Sequence, residues 1–550
     1  MKNFELFLNF LALILTYYSI LGYSFVFKLL FFDKKNYSFL NNLDIFFGIS
    51  LLIFLSIFLN FFSPLNKFNL SILIIGIVSF FYFLKKYKFY HYNFKTITFI
   101  IIFLFLISHS NGLAYDSSLY HLQIIKFISD YKIIFGLTNI ESRLGLNSSW
   151  YYFLSIFNIK NYHLIYLINI IIYSIFINEL FVSKKERKIS FFFLLFSISF
   201  LLFFSLIHPT KNGIILNNIG SPEVDTMIML IFIINFYIFL KSLEKYSDQH
   251  FYLILTTTVI AITTKISAIP LLLLLFFIFI IYFSKIRKIN NLSYYIFNLV
   301  LALFWLISNF IKAGCFIFPI SITCLNVTWG FTSDNAQRFI NVVQSFARDT
   351  RLRQKFNDFN YTLDSYNWVI PWFNDYYLNT SLLKIVTFII LSSLIFIIIF
   401  YFFFKRQKSK LDLKYSFYIF TFFFVCFVLW FKAPEVRFGY GFLVSSSCFL
   451  LTIVFLKIRF LYKYVYYKQF ILIICFLLIV KNFNYFKNFS QFPGRDFSYK
   501  DFELIKIIEG NKIYYPGDNK FCNYSSDICI YQKEFQYNVK NYYTYTFINK

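Results

Sequence analysis

Long apolar runs and short polar stretches alternate along almost the whole chain. Runs near 5–27, 43–63, 68–84, 97–110, 161–182, 189–207, 223–241, 251–264, 267–284, 294–311, 383–404, 415–431, 440–456 and 468–481 are candidates for spanning helices. Most come near the ~20 mostly apolar residues that crossing a bilayer requires at about 1.5 Å per residue. They are continuous, whereas a barrel strand alternates apolar and polar positions over about 10 residues. The pattern therefore predicts an all-α integral membrane protein with about fourteen transmembrane helices. Residues 1–481 form the polytopic domain, with outer loops at 111–160 and 312–380, and 482–550 form a small C-terminal extramembrane segment. The first apolar run is long and no small-residue cleavage site follows it, so a cleavable signal is not expected.

Charge gives the spans a direction. Lys34 and Lys35, Lys85 to Lys88, Lys184 to Lys188, Lys241 and Lys245, Lys285 to Lys288, Lys405 to Lys410, and Lys457 to Lys463 bracket basic clusters in every second loop. Positive clusters stay cytoplasmic. The intervening segments 111–160, 208–222, 312–380 and 432–439, both termini, and the tail after 482 are then non-cytoplasmic. Splitting 251–284 into two spans keeps this alternation; one span there would break it.

Composition agrees. Hydrophobic residues make up 59% of the 550 and charged residues 14%, with a mean hydropathy of +0.64. That is too little charge to coat a water-facing surface, since a soluble domain carries about 25%. The 52 Lys and Arg against 26 Asp and Glu give +26, which in a soluble protein would raise nucleic-acid binding. Here the membrane topology accounts for the excess, and no nucleic-acid motif accompanies it. Walker, Rossmann, Gly-x-Ser-x-Gly and zinc-protease motifs are missing, and no His/Cys cluster has zinc spacing. No convincing internal repeat marks a standard secondary transporter.

Candidate chemistry gathers on the outer side. Asp116 follows an apolar run and precedes Leu119, Leu122, Ile125 and Phe127, whose spacing makes one apolar helical face. A surface helix would hold Asp116 near its N-terminus, where a carboxylate serves as cap or as catalytic group. His121 lies about one turn on, either packing at the interface or supporting Asp116. Glu223 and Asp225 follow Ser221-Pro222 at a helix start. Lys265 interrupts an apolar run, and Arg143, Lys312 and Arg437 fall at outer span ends, able either to snorkel or to hold a phosphate. Trp329, Trp368 and Trp372 in the second loop read as membrane-interface anchors. Cys426, Cys448 and Cys475 fall within spans. Cys522 and Cys529 flank a short polar turn on the oxidising side and are expected to form a disulfide, with Cys315 and Cys324 a weaker candidate pair.

The stretch Tyr115-Asp116-Ser117-Ser118-Leu119-Tyr120-His121, with Ser142 to Trp150, resembles the first outer loop of the GT-C superfamily of polytopic glycosyltransferases. More closely, these pieces resemble a family of bacterial membrane proteins with a GT-C-like core. So do Ser221 to Asp225, Thr264 to Ser267, Lys312 to Pro319, Pro434 to Phe438, and Pro516 to Asn519 with Cys522 and Cys529. The resemblance implies a glycosyltransferase of the bacterial inner membrane. It would move a sugar from a polyprenyl-phosphate donor to a glycan, lipid or protein acceptor at the cell envelope. Asp116 is then the expected catalytic residue. Arg143, Lys265, Lys312, Arg437, His121 and Asp225 line the substrate, with membrane lipids as the other partners. The superfamily's lipid A and protein mannosyl branches commonly place Glu after the loop Asp. Ser117 stands there instead, which leaves a divalent metal unsupported and no cofactor indicated. A polysaccharide or lipid exporter, or a polymerase of the O-antigen kind, shares the same outline.

Overall fold

The computed structural model describes residues 2–32, 41–87, 94–108, 113–159, 164–183, 188–207, 219–287, 291–349, 360–403, 413–457, 467–486, 503–508, 511–515, 528–529, 538–542 and 545–549. Apolar runs in a bilayer must satisfy their backbone groups internally, so they become helices. The first four are α1 (Lys2–Phe31), α2 (Ile45–Phe62), α3 (Asn69–Tyr87) and α4 (Phe94–Ser108). Two short helices follow, α5 (Leu122–Asp130) and α6 (Ser149–Ile156). Next come α7 (Leu164–Leu167), α8 (Asn169–Val182), α9 (Ile189–Ile207), α10 (Asp225–Glu244), α11 (Asp248–Thr264), α12 (Leu271–Ile286) and α13 (Leu292–Ala313). The segment between α13 and the last four helices contributes α14 (Ser333–Arg348), α15 (Asn360–Leu363) and α16 (Val369–Asp375). The last four helices are α17 (Ser381–Phe403), α18 (Leu413–Phe431), α19 (Val436–Lys457) and α20 (Tyr467–Phe486).

Among the described residues, ten helices are long and apolar enough to cross a membrane, and two more apolar helices, Phe94–Ser108 and Tyr415–Phe431, are shorter. The chain is a multi-pass membrane protein. Its centre is α10 and the α7–α8 segment, whose apolar windows are each 89% buried; α17, at 22%, is peripheral. Helix α10 packs on α9, α11 and α19, and α19 also receives α9, α17 and α18. Helices α1 and α3 approach most closely at two glycines: a Cβ on Gly22 would come within 1.9 Å of the Gly76 carbonyl oxygen. Small residues permit this backbone contact where apolar packing alone gives no preference over lipid.

Polar contacts sort the helix ends into two faces. On one face Lys28 pairs with Asp44 at 2.7 Å, and Gln249 donates to the same carboxylate at 2.7 Å. There too the Tyr237 hydroxyl donates to Glu179 at 2.9 Å and Ser190 to Glu244 at 2.6 Å. On the opposite face Asn60 donates to the carbonyl of Ile128 at 3.0 Å and Asn69 to that of Asn158 at 2.9 Å. Asp116, His121, Arg143, Asp225, Lys265, Lys312 and Arg437 lie toward this second face. So does a disulfide between Cys315 and Cys324, the pair that spacing had ranked lower.

Leu122 to Ile125 and Phe127 to Ser129 of α5 are buried. The described residues from 503 onward are strands, so the all-α class does not extend to this part of the tail. Strand β1 (Glu503–Ile508) pairs antiparallel with β2 (Asn511–Tyr515), Glu503 opposite Tyr515, with an irregularity between Leu504 and Lys506. Strand β3 (Ile528–Cys529) adds parallel to β2, while β4 (Asn538–Tyr542) and β5 (Tyr545–Asn549) form a separate antiparallel pair. Ile, Tyr and Thr enrichment with near-alternation favours strands in such short segments. Cys529 is disulfide-bonded and its carbonyl accepts from Gln123 of α5 at 3.2 Å. Cys522 and the Pro516–Asn519 stretch lie outside the described residues.

Candidate functional site

The site is built where α10, one of the two most enclosed spans among the described residues, meets the second face. Its approach is braced by Asn169 of α8, whose amide donates to the carbonyls of Ser221 at 2.9 Å and Glu223 at 3.1 Å. Asn169 is itself held by the Trp150 indole at 3.1 Å. Ser221 then bridges to the first outer loop: its hydroxyl lies 2.6 Å from that of Ser117 and accepts from the Ala114 amide at 3.3 Å. Residues Ser117–His121 form a widened, π-type turn, a feature frequent at functional sites. Within it Ser117 Oγ sits 3.2 Å from His121 Nδ1.

Four charged side chains from four distant segments meet beside this brace. The guanidinium of Arg437, in the first turn of α19, donates to the Asp116 carboxylate. The ammonium of Lys265, just past the end of α11, donates to Asp225 at the start of α10. Both cations also lie near the Phe438 ring, Lys265 at 4.7 Å and Arg437 at 5.5 Å from its centroid. Lys265 is aimed by its extended backbone and by Ser149 of α6, whose hydroxyl lies 2.9 Å from Thr263 and 3.1 Å from Thr264. Arg437 Nε is 4.0 Å from Glu435, which in turn accepts from the Tyr376 hydroxyl at 2.8 Å. Trp430 and Trp372 fix the connecting segment by donating to the carbonyls of Glu435 at 2.8 Å and Pro434 at 3.2 Å.

Accessibility differs within the quartet. Asp225 is 6% exposed, Asp116 20%, Lys265 24% and Arg437 37%. The Asp116–Arg437 end is therefore the open one. Asp116 makes no capping hydrogen bond, so its carboxylate is committed to Arg437 and not to the helix start. Burial, aided by the two cations, lowers the His121 imidazole to about 4 against the opposing pull of Asp116 and Asp225, so it is neutral near pH 7. Burial pushes the Tyr120 hydroxyl up, reinforced by Asp116 and Asp225. Burial also raises Glu223, to about 8, and the neighbouring charge of Asp225 adds to the shift.

Asp116, Asp225, Lys265, Arg437 and His121 thus come together as the sequence suggests. Arg143 stands at the margin: it is 42% exposed, 4.0 Å from Glu141, and acts on Tyr120 only through its field. Lys312 is elsewhere. Its ammonium donates to Asn147 at 2.8 Å and lies 4.5 Å from the Tyr152 centroid, in a buried network with Ser308 and Trp305. It pins the end of α13 to the first outer loop and joins no carboxylate among the described residues. The tryptophans serve the second loop: Trp368 is buried under the Arg348 guanidinium at 5.1 Å, and Trp372 packs beside it. Glu223 and the Ser117–Ser221 bridge carry more of the site than spacing conveys. Their only sequence signal is that a second acid and a Ser-Pro pair precede Asp225. Among the described residues, no group of three or more His, Cys, Asp or Glu is arranged to hold a metal ion.

The chain belongs to the family described as "Domain of unknown function (DUF8201)", which matches it over residues 6–444. That match includes all four residues of the charged quartet. No curated protein and no solved structure matches the chain.

Proposed function

We propose that this member of the family is a glycosyltransferase with a GT-C-like core that transfers a sugar from a polyprenyl-phosphate donor to a cell-envelope acceptor. The single observation carrying the reading is the convergence of Asp116, Asp225, Lys265 and Arg437 at the span ends of one face. A lipid phosphate has its charge at that depth. Arg437 is the more exposed cation and can give one edge of its guanidinium to a phosphate while keeping Asp116 on the other. Lys265 supplies a second contact. Asp116 then takes the acceptor's hydroxyl proton as that oxygen attacks the sugar's anomeric carbon. The bond to the phosphate oxygen breaks, and its electron pair leaves on polyprenyl phosphate. An acceptor hydroxyl is a poor nucleophile until a positioned base engages its proton. Neutral His121 holds Ser117, and through it the turn that carries Asp116.

In this reading α11 and α20 and the two shorter apolar helices cross as well, giving fourteen spans with both termini outside. The Cys315–Cys324 disulfide supports placing the site's face in an oxidising compartment. The bacterial inner membrane fits this arrangement. Reporter fusions after Lys188, Lys288 and Lys410 should read as cytoplasmic, and fusions near Asn360 and at the C-terminus as external. A cytoplasmic C-terminus would overturn the orientation.

The reading is tested by incubating the purified protein with a panel of polyprenyl-phosphate sugars and measuring released polyprenyl phosphate. Release with one donor and an envelope acceptor is the expected outcome. Release with none, by protein that remains folded, would overturn it.

A further inference from the structure

Glu223 is a buried acid of this cluster: the residue is 6% exposed and its Oε2 has no hydrogen-bond partner among the described residues. It lies within electrostatic reach of Asp225 on the same strand of backbone, Asp116 in the π-type turn, Lys265 past α11 and Arg437 on α19. The hydroxyls of Tyr151 of α6, Tyr173 of α8 and Tyr440 of α19 also lie within its electrostatic reach. Lys265 and Arg437 carry two positive charges, already matched by Asp225 and Asp116. Glu435, 4.0 Å from Arg437, adds a further negative charge at the rim. Among the described residues, an ionised Glu223 would therefore add a carboxylate to a buried site whose two cations are already paired. Such a charge is expensive, and the group takes a proton instead.

Resting on the lipid-phosphate reading of this site, we infer that Glu223 is a positioning residue that couples anion binding to protonation. With its proton, Glu223 is neutral and its hydroxyl can donate to a phosphate oxygen. Without it, the carboxylate repels the phosphate and competes for Lys265 and Arg437. The proton balance follows: an anion that meets ionised Glu223 brings one proton into the site and that proton leaves with it, whereas an anion that meets protonated Glu223 brings none. Burial places this change near pH 8, so binding weakens as pH rises through that region. Linkage requires the converse, that an arriving anion strengthens proton binding at Glu223 by the same factor.

The test uses the full-length protein in lipid nanodiscs and a short-chain prenyl glucosyl phosphodiester, which keeps one negative charge throughout the range. Wild-type affinity should be about 10-fold weaker at about pH 9.5 than at about pH 7, within the usual span of coupling factors. Glu223→Gln should bind at both values as tightly as wild type does at the lower one. Calorimetry on the wild type in two buffers of different ionisation enthalpy should register uptake of about half a proton per ligand near the midpoint, as a 10-fold coupling requires, which keeps the inference testable if the variant misfolds. An unchanged pH dependence in Glu223→Gln, a flat wild-type profile, or an absence of proton uptake would overturn it. If sugar transfer persists while binding ignores pH, only this inference fails. If the phosphodiester binds at no pH, the lipid-phosphate reading falls and this inference with it.

Discussion

Asp116→Asn should reduce sugar transfer by roughly 10²-fold or more while the protein accumulates normally. The substitution keeps the shape of the side chain and would preserve a helix cap, since Asn caps about as well as Asp. There is no capping bond to lose, because the Asp116 carboxylate is held by Arg437. What disappears is the group that takes the acceptor proton. Arg437 is also released by the change, though Glu435 remains 4.0 Å from it and prevents an isolated charge. Donor binding should therefore hold or tighten while turnover falls, so that kcat drops and KM for the donor does not rise. Initial rates over a range of donor concentrations separate these effects. Wild-type kcat in Asp116→Asn would remove the residue on which the mechanism turns.

Lys265→Met should destabilise the protein by about 3 kcal/mol, at the low end of what losing one partner of a buried ion pair costs. The low end applies because 24% of the Lys265 side chain stays exposed. The loss comes less from the missing attraction than from Asp225, which is left 6% exposed with its counter-charge gone. Lys265→Met with Asp225→Asn should accordingly recover most of the stability, because neither polar group is then stranded. A double-mutant cycle on unfolding in detergent measures this. If the two single changes simply add, Asp225 and Lys265 do not support each other, and the paired geometry of the quartet is wrong. Transfer should stay low in the double variant, since the second phosphate contact is gone even though the fold is restored.

The helices were legible because lipid imposes a strict rule on backbone satisfaction, and apolar runs obey it without regard to partners. Residues such as Leu271 to Phe283 announce a helix by composition alone. The tail was not legible on that basis, because its strands carry a weaker, near-alternating signal in an Asn- and Lys-rich stretch. The site was legible in its parts and not in its pairing. Asp116 and Arg437 are 321 positions apart, and no local spacing says that they meet. Lys265 stood out because it interrupts an apolar run, whereas Asp225 resembles an ordinary helix start until its partner is seen. Lys312 illustrates the reverse error. Its position at an outer span end matches that of Lys265, yet Asn147 and Tyr152 enclose it in a network that serves the loop. Glu223 was obscured because a buried acid is noticed by the partner it lacks, and that is a property of three dimensions.

The central claim is that the quartet receives the lipid-linked sugar. It is tested most directly by photo-crosslinking a diazirine-bearing polyprenyl-phosphate sugar to the purified protein and mapping adducts by mass spectrometry. Labels should concentrate in segments 113–122, 219–226, 264–270 and 435–440. They should be displaced by unlabelled donor and much reduced in Arg437→Ala. Labels spread only over lipid-facing helices such as α17, unaffected by competitor or by Arg437→Ala, would contradict it.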